Sequence, residues 1–362
     1  MSGTVLFVSY TGDAWGSDRL LGDFATGLAP PVAVACPDGP LAERLRAAGV
    51  EHVPVARRPL DMRASARDRA ATPLRIAGLA REARRAARRL RPAVVVGWNS
   101  RGLLAAAPAA RGSRLVLHQN EMPRGLFVRR AVHAVARRCD LAVALSQTIA
   151  ADLSVPASVV RGGVDLARYT AEWPRPGPPT ALFLAALVPW KRPDLALEAV
   201  ALAARDVPDL RLVVAGEPIG AQEELVEQLT RRASAPDLAG RVEFAGRVED
   251  PRPLLAQSHC LLHAADKEPY GMAMVEALAA GLPVVAPAAG GPTEIYQGAW
   301  PPGKSSPVRL YPPGDADAAA AALVAVLADP EPLGRAGRAV AERSHTLAAA
   351  QARYRELIDP LR

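Results

Sequence analysis

Thirteen short apolar runs, none longer than seven residues, recur along this chain with longer Ala-, Leu- and Arg-rich stretches between them. In the first half they are Val5–Ser9, Val32–Cys36, His52–Val55, Ala93–Trp98, Arg114–His118, Leu141–Leu145 and Ser158–Arg161. In the second half they are Ala181–Leu187, Arg211–Ala215, Val242–Ala245, Cys260–His263, Pro283–Ala286 and Val308–Tyr311. Most are continuous rather than alternating, the signature of parallel strands covered on both faces. Helical patterns lie between them, such as Pro73–Leu90 and Pro193–Ala204. Strand, helix, strand, repeated, predicts doubly wound α/β sheets.

One stretch breaks the rhythm. Residues 170–179 hold four prolines and a glycine, a composition that supports neither a helix nor a central strand. It reads as a linker between an N-terminal domain over 1–169 and a second domain over 180–345. A chain of 362 residues suits two cores better than one. The closing segment 346–362, amphipathic over Leu347–Ile358, can pack on either domain and is assigned to pack back on the first.

Charge divides unevenly. Residues 1–170 carry 25 arginines, no lysine and 13 acidic residues, against 19 basic and 24 acidic residues in the remainder. A basic first half suits an anionic acceptor or an acidic membrane surface, and equally a solvated helix face. Arg81–Arg91, with six arginines, poses the same choice between a covering helix and contact with acidic lipid. No aromatic interleaving accompanies the charge, so a nucleic-acid reader is not expected. Cys36, Cys139 and Cys260 show no paired spacing, which argues for buried free thiols over disulfides or zinc. No signal peptide is legible, and no window reaches the ~18 apolar residues of a membrane span. The expected location is cytoplasmic, with peripheral contact at the inner membrane face compatible with the charge.

Three segments carry chemistry. The first runs from His263 through Glu268 and Gly271 to Glu276 and on to Val285. Read as strand, loop, helix and strand, it exposes the amides of Gly271, Met272 and Ala273 at a helix start, a ready anion site. Glu268 and Glu276 bracket that site, so one can reach a sugar and the other a ribose. The second is Leu184–Ala196, where Lys191 follows a strand and Pro193 opens a helix, a placement suited to diphosphate charge. The third is the turn Ser9–Leu21, containing Trp15, Gly16 and Asp18. It lacks G-x-G-x-x-G spacing, and the chain has no G-x-x-x-x-G-K-[ST], zinc-ligand cluster or G-x-S-x-G. No cofactor or metal is expected.

These segments together resemble the retaining GT-B glycosyltransferases of family 4, whose fold is two Rossmann-like doubly wound parallel-sheet domains facing a cleft. Glu268 to Glu276 looks like the family's E-x7-E signature, followed by A-L-A-A-G-L-P-V-V and A-A-G-G-P-T-E-I. L-V-P-W-K-R-P-D-L-A resembles its phosphate loop, W-G-S-D-R-L-L its G-G-x-E-R-L-L turn, and R-G-G-V-D-L-A-R-Y its N-G-V-D-x-x-x-F. The resemblance implies a catalytic set of His118, Glu268 and Lys191. His118 would contact sugar and acceptor, and Glu268 would touch the donor sugar. Glu276 would hold the ribose, while Gly216, Glu217, Arg247 and Val248 would lie near the base. Lys191, Arg192 and the Gly271, Met272 and Ala273 amides would take the diphosphate, with Gly16 and Tyr270 also in the donor site. Trp15, Asp18, Asn99 and Asn120 would face the acceptor.

Two departures stand out. Ala186 occupies the position of the family's second phosphate cation, with Arg192 the nearest replacement, and Trp15 and Asp18 replace the glycine and acid of G-G-x-E. The implied activity is transfer of a sugar, with retention, from a nucleoside-diphosphate sugar to an acceptor hydroxyl on a lipid-linked or anionic glycan or a natural product. The alternatives are a GT-B protein that binds a nucleotide sugar without transferring it and a sugar-nucleotide epimerase.

Overall fold

The computed structural model describes residues 3–13, 16–58, 60, 66–123, 125–297 and 306–362. They form two compact units, one of residues 1–162 with 347–362 and one of residues 163–346.

Among the described residues the first unit has seven strands: β1 (Val5–Val8), β2 (Val32–Cys36), β3 (Glu51–Pro54), β4 (Val94–Trp98), β5 (Arg114–Gln119), β6 (Leu141–Ala144) and β7 (Ser158–Val159). All pairs are parallel, in the order β3-β2-β1-β4-β5-β6-β7. Val5 pairs with Val32 on one side and Val94 on the other. Every residue of β1, β2 and β4 is buried, as continuous apolar runs require.

The second unit has six: β8 (Thr180–Leu184), β9 (Arg211–Ala215), β10 (Val242–Gly246), β11 (Cys260–Leu262), β12 (Val284–Pro287) and β13 (Val308–Tyr311). They too are parallel, in the order β10-β9-β8-β11-β12-β13. In each sheet the order reverses once, between β1 and β4 and between β8 and β11. Such a reversal opens a crevice at the carboxyl ends of its two strands.

Differences from the sequence reading have local causes. β3 and β10 are edge strands and are partly exposed. The run Ala181–Leu187 stops being a strand at Leu184, where the chain turns under Gly216. A Cβ on Gly216 would lie 1.9 Å from the Ala185 carbonyl oxygen, so only glycine allows the approach. The helix read from Pro73 begins at Ala66 and runs through that proline to Leu90. Its buried side includes Leu79, Ala83, Ala86 and Ala87, while Arg81, Arg85, Arg88 and Arg89 are exposed. Cys36, Cys139 and Cys260 are free thiols, the first and last buried.

The proline-rich stretch lies within the second unit and is fastened there. Trp173 Nε1 donates to the Gly281 carbonyl at 3.1 Å, and the buried Arg175 guanidinium donates to the carbonyls of Leu255 and Ala280. The C-terminal helix Leu347–Ile358 belongs to the first unit. Its Tyr354 is fully buried and stacks on Phe24 at 4.6 Å, while Gln351 donates to the Asp23 carbonyl at 2.7 Å. Among the described residues, no helix is long and apolar enough to cross a membrane.

Candidate functional site

The loops leaving β8 and β11 meet at the reversal point of the second sheet. After β8 a short turn over Pro189–Lys191 brings up Lys191, and Arg192 takes a left-handed conformation (φ 52°) before the helix Pro193–Ala203. After β11 come His263 and the loop to Glu268. Lys191 Nζ donates to Oε2 of Glu268 across 77 residues of sequence. His263 Nε2 lies 3.3 Å from the same oxygen. Glu268 and His263 are only 8% and 5% exposed. Burial pushes the Glu268 carboxyl up, but Lys191 and His263 outweigh it and hold the group well below the usual carboxylate range. These neighbours thus favour the charged form of the carboxylate.

Gly271 ends this loop at φ 107° and caps the helix Met272–Ala279. A Cβ there would meet Met274 and Glu268 as well as that strained backbone. The first amides to bond within the helix belong to Met274 and Val275, both to the Gly271 carbonyl. The Met272 and Ala273 N–H groups thus precede the helical ladder and point out of its start, as helix geometry dictates. The loop is held from below by Gly290 and Gly291. The Gly291 N–H donates to the Glu268 carbonyl at 2.9 Å, and a Cβ on Gly291 would lie 2.0 Å from the Tyr270 carbonyl oxygen. The A-A-G-G sequence is thus a backbone-to-backbone contact that sets the position of Glu268.

Glu276, 3% exposed, accepts from the Tyr169 hydroxyl at 3.4 Å. Tyr169 is in turn anchored by Arg338 Nη1, which donates to its carbonyl at 3.0 Å. Gly216 and Glu217 follow β9, and Arg247 and Val248 follow β10. Arg247 pairs with Glu217 at 3.6 Å, and the Gly216 N–H donates to the Gly246 carbonyl at 2.8 Å. Two expected residues turn elsewhere. The Tyr270 ring is 2% exposed, with its hydroxyl 3.1 Å from His345 Nδ1. Arg192 lies against both oxygens of Asp194 and, at 3.2 Å, Asp266, so its charge is already matched. Ala186 is half-buried and offers no cation.

The first sheet gathers a different set at its own reversal point. Asn99 directly follows β4 at φ 61°, and its Oδ1 accepts the Asn120 N–H at 2.8 Å, which brings two expected acceptor residues together. Gln119 Nε2 donates to Ser100 Oγ at 2.9 Å. His118 on β5 is fully buried, stacked on Trp98 at 4.1 Å, with Phe24 and Tyr354 at 5.2 and 5.3 Å. Burial pushes its imidazole down to about 3, with Asn120 pulling weakly the other way. It is a neutral ring inside an aromatic box. Asp18, 6% exposed, lies in the first turn of the helix Gly16–Gly27, and Trp15 falls outside the described residues. No described atom comes within 4 Å of where a Cβ on Gly16 would sit. Among the described residues, no group of three or more His, Cys, Asp or Glu side chains is placed to hold a metal ion.

Sequence reasoning assigned no role to His263, Asp266, Tyr169 or the Gly290–Gly291 pair. His263 stood in the quoted motif at the strand end, but nothing in the spacing signals that its ring reaches Glu268.

Two doubly wound parallel sheets of this order give the chain the GT-B fold. Residues 169–343 match the family Glycosyl transferases group 1. The chain is 33% identical over 180 residues to a phosphatidyl-myo-inositol mannosyltransferase of Mycolicibacterium smegmatis, covering 47% of this chain and 42% of that protein. It is 33% identical over 198 residues to a D-inositol 3-phosphate glycosyltransferase of Mycolicibacterium gilvum, covering 49% and 41%. The matches thus span less than half the length of these relatives. In structure the chain is similar to HepE of Anabaena in complex with UDP-glucose, with a TM-score of 0.84, 20% identity, and 99% and 100% of the two chains covered.

Proposed function

We propose that the protein transfers a sugar, with retention at the anomeric carbon, from a nucleoside-diphosphate sugar to a hydroxyl of an anionic acceptor. The observation that carries this reading is the Lys191–Glu268 pair beside the start of the Gly271-capped helix, at the switch point of the second sheet. In this reading Lys191 and the Met272 and Ala273 amides take the diphosphate as the leaving group departs. Fixed donors of this kind stabilise developing charge without reorganisation, so no metal is required. Glu268 then faces the donor sugar, Glu276 the ribose, and Glu217, Arg247 and Val248 the base. The UDP-glucose complex of HepE supports a nucleotide-sugar donor. The basic first half supports an anionic acceptor held near Asn99, Asn120, Asp18 and His118, and both curated relatives are named for phosphorylated inositols. The same basic surface suits peripheral contact with acidic lipid.

Ala186 and the engagement of Arg192 with Asp194 and Asp266 favour one second reading, a protein that holds the nucleotide sugar without transferring it. A thermal-shift panel of UDP-, GDP- and dTDP-sugars is expected to show stabilisation by one nucleotide family. If none raises the melting temperature, the donor site is misassigned. Transfer or donor hydrolysis that disappears in Lys191→Ala and Glu276→Ala separates the two readings, and binding with no turnover at any acceptor selects the second.

A further inference from the structure

We propose that His263 is a positioning residue for Glu268, the partner that keeps this carboxylate oriented toward the donor sugar when a diphosphate draws Lys191 away. The inference rests on the donor-binding reading above. In this structure Oε2 of Glu268 has two neighbours of opposite character, the Lys191 ammonium and His263 Nε2 at 3.3 Å. A carboxylate this buried needs a counter-charge or a hydrogen-bond donor, or it must leave the site or take up a proton. A diphosphate and Glu268 share the three N–H donors of one ammonium, so binding the former loosens the hold of Lys191 on the latter. The Lys191 side chain is 23% exposed, and its four-carbon stem at the end of a short turn can re-aim the ammonium by rotamer changes.

The backbone of His263 is held in place. Its main-chain N–H donates to the Val285 carbonyl at 2.8 Å, and its main-chain carbonyl accepts from the buried Tyr311 hydroxyl at 3.0 Å. The residue is 5% exposed, and the contact of Nε2 with Glu268 Oε2 at 3.3 Å is too poorly aligned for a full hydrogen bond. A buried imidazole nitrogen in loose contact with a carboxylate is a reserve donor. When Lys191 moves to phosphate oxygens, a small rotation of Glu268 closes the 3.3 Å gap to an Nε2–H···Oε2 hydrogen bond. That leaves Oε1 to accept from a sugar hydroxyl. Arg192 is not available for this task, since it is held by Asp194 and Asp266.

The test compares a nucleoside diphosphate with its sugar. Isothermal titration is run on the wild type, His263→Leu and His263→Gln, with UDP and UDP-glucose or with GDP and GDP-mannose, whichever pair the wild type binds. His263→Leu is expected to bind the bare diphosphate within about twofold of wild type and the sugar nucleotide at least tenfold more weakly. His263→Gln keeps an N–H near the same place and is expected to recover most of that loss. His263→Met serves as the apolar variant if His263→Leu does not fold. Equal affinities in the wild type and the apolar variant overturn the proposal. So does an equal loss for both ligands that glutamine fails to rescue, because that pattern marks a packing role. Failure of the wild type to bind any sugar nucleotide overturns the donor reading itself, and this inference with it.

Discussion

The two sheets share the order of their first six strands and reverse at equivalent places, yet the side chains gathered near the two reversal points have opposite chemistry. At the second, the ion pairs Lys191–Glu268 and Arg192–Asp266 lie near a helix start, with His263 beside Glu268. At the first, Trp98, Phe24 and Tyr354 enclose a neutral His118 in a chain whose aromatic content is only 4%. The contrast shows how one architecture supports two tasks. The fold supplies the reversal point, and the residues around it decide whether it gathers charge or packs as core. A diphosphate suits the former. The buried rings anchor the C-terminal helix through Tyr354.

The largest expected effect is at the charged crevice. Lys191→Ala removes the cation facing the proposed leaving group and should lower kcat/KM by about 10²–10³-fold. It also leaves Glu268 buried with His263 but without its counter-charge, at a cost of about 3 kcal/mol in denaturant unfolding. Adding Glu268→Gln should recover most of the stability and none of the activity. Recovery of both would mean that the crevice is structural, like its counterpart.

Next is Gly291→Ala. Its Cβ has no room against the Tyr270 carbonyl, so the Glu268 loop must shift. The expectation is about 1–3 kcal/mol of lost stability and a donor KM raised at least tenfold. Normal kinetics would show that the loop does not set the site.

The aromatic crevice should respond to pH instead. An unfolded histidine titrates near 6.5, whereas His118 in the fold stays neutral down to about 3. Between those values the unfolded chain binds the extra proton, so stability falls as pH falls. From pH 7 to pH 5 this amounts to about 2 kcal/mol. His118→Phe should remove that part of the acid sensitivity, read from urea unfolding at the two pH values. An unchanged slope would mean that the imidazole is accessible and closer to the acceptor role.

The smallest effect belongs to Tyr169→Phe. Its 3.4 Å hydrogen bond to Glu276 is long, and such bonds contribute about 1 kcal/mol or less. A donor KM change of about fivefold or less is expected, measured by initial rates. A larger one would make Tyr169 a main support of Glu276.

The local features were legible in the chain as written. All thirteen strands stand within a few residues of their apolar runs, the central ones most plainly, because strands covered on both faces leave no room for polar interruption. Gly271 and the helix after it were readable for the same reason, since capping is local chemistry. What the tertiary structure alone decided are contacts between separate βα units. These include Lys191 on Glu268 over 77 residues, Tyr169 on Glu276 over 107, the seating of the proline-rich stretch in the second unit, and Tyr354 beside His118. Such pairs leave no periodic mark in the sequence. They arise only when strand order brings distant loops to one end of a sheet, and strand order is a property of the whole fold.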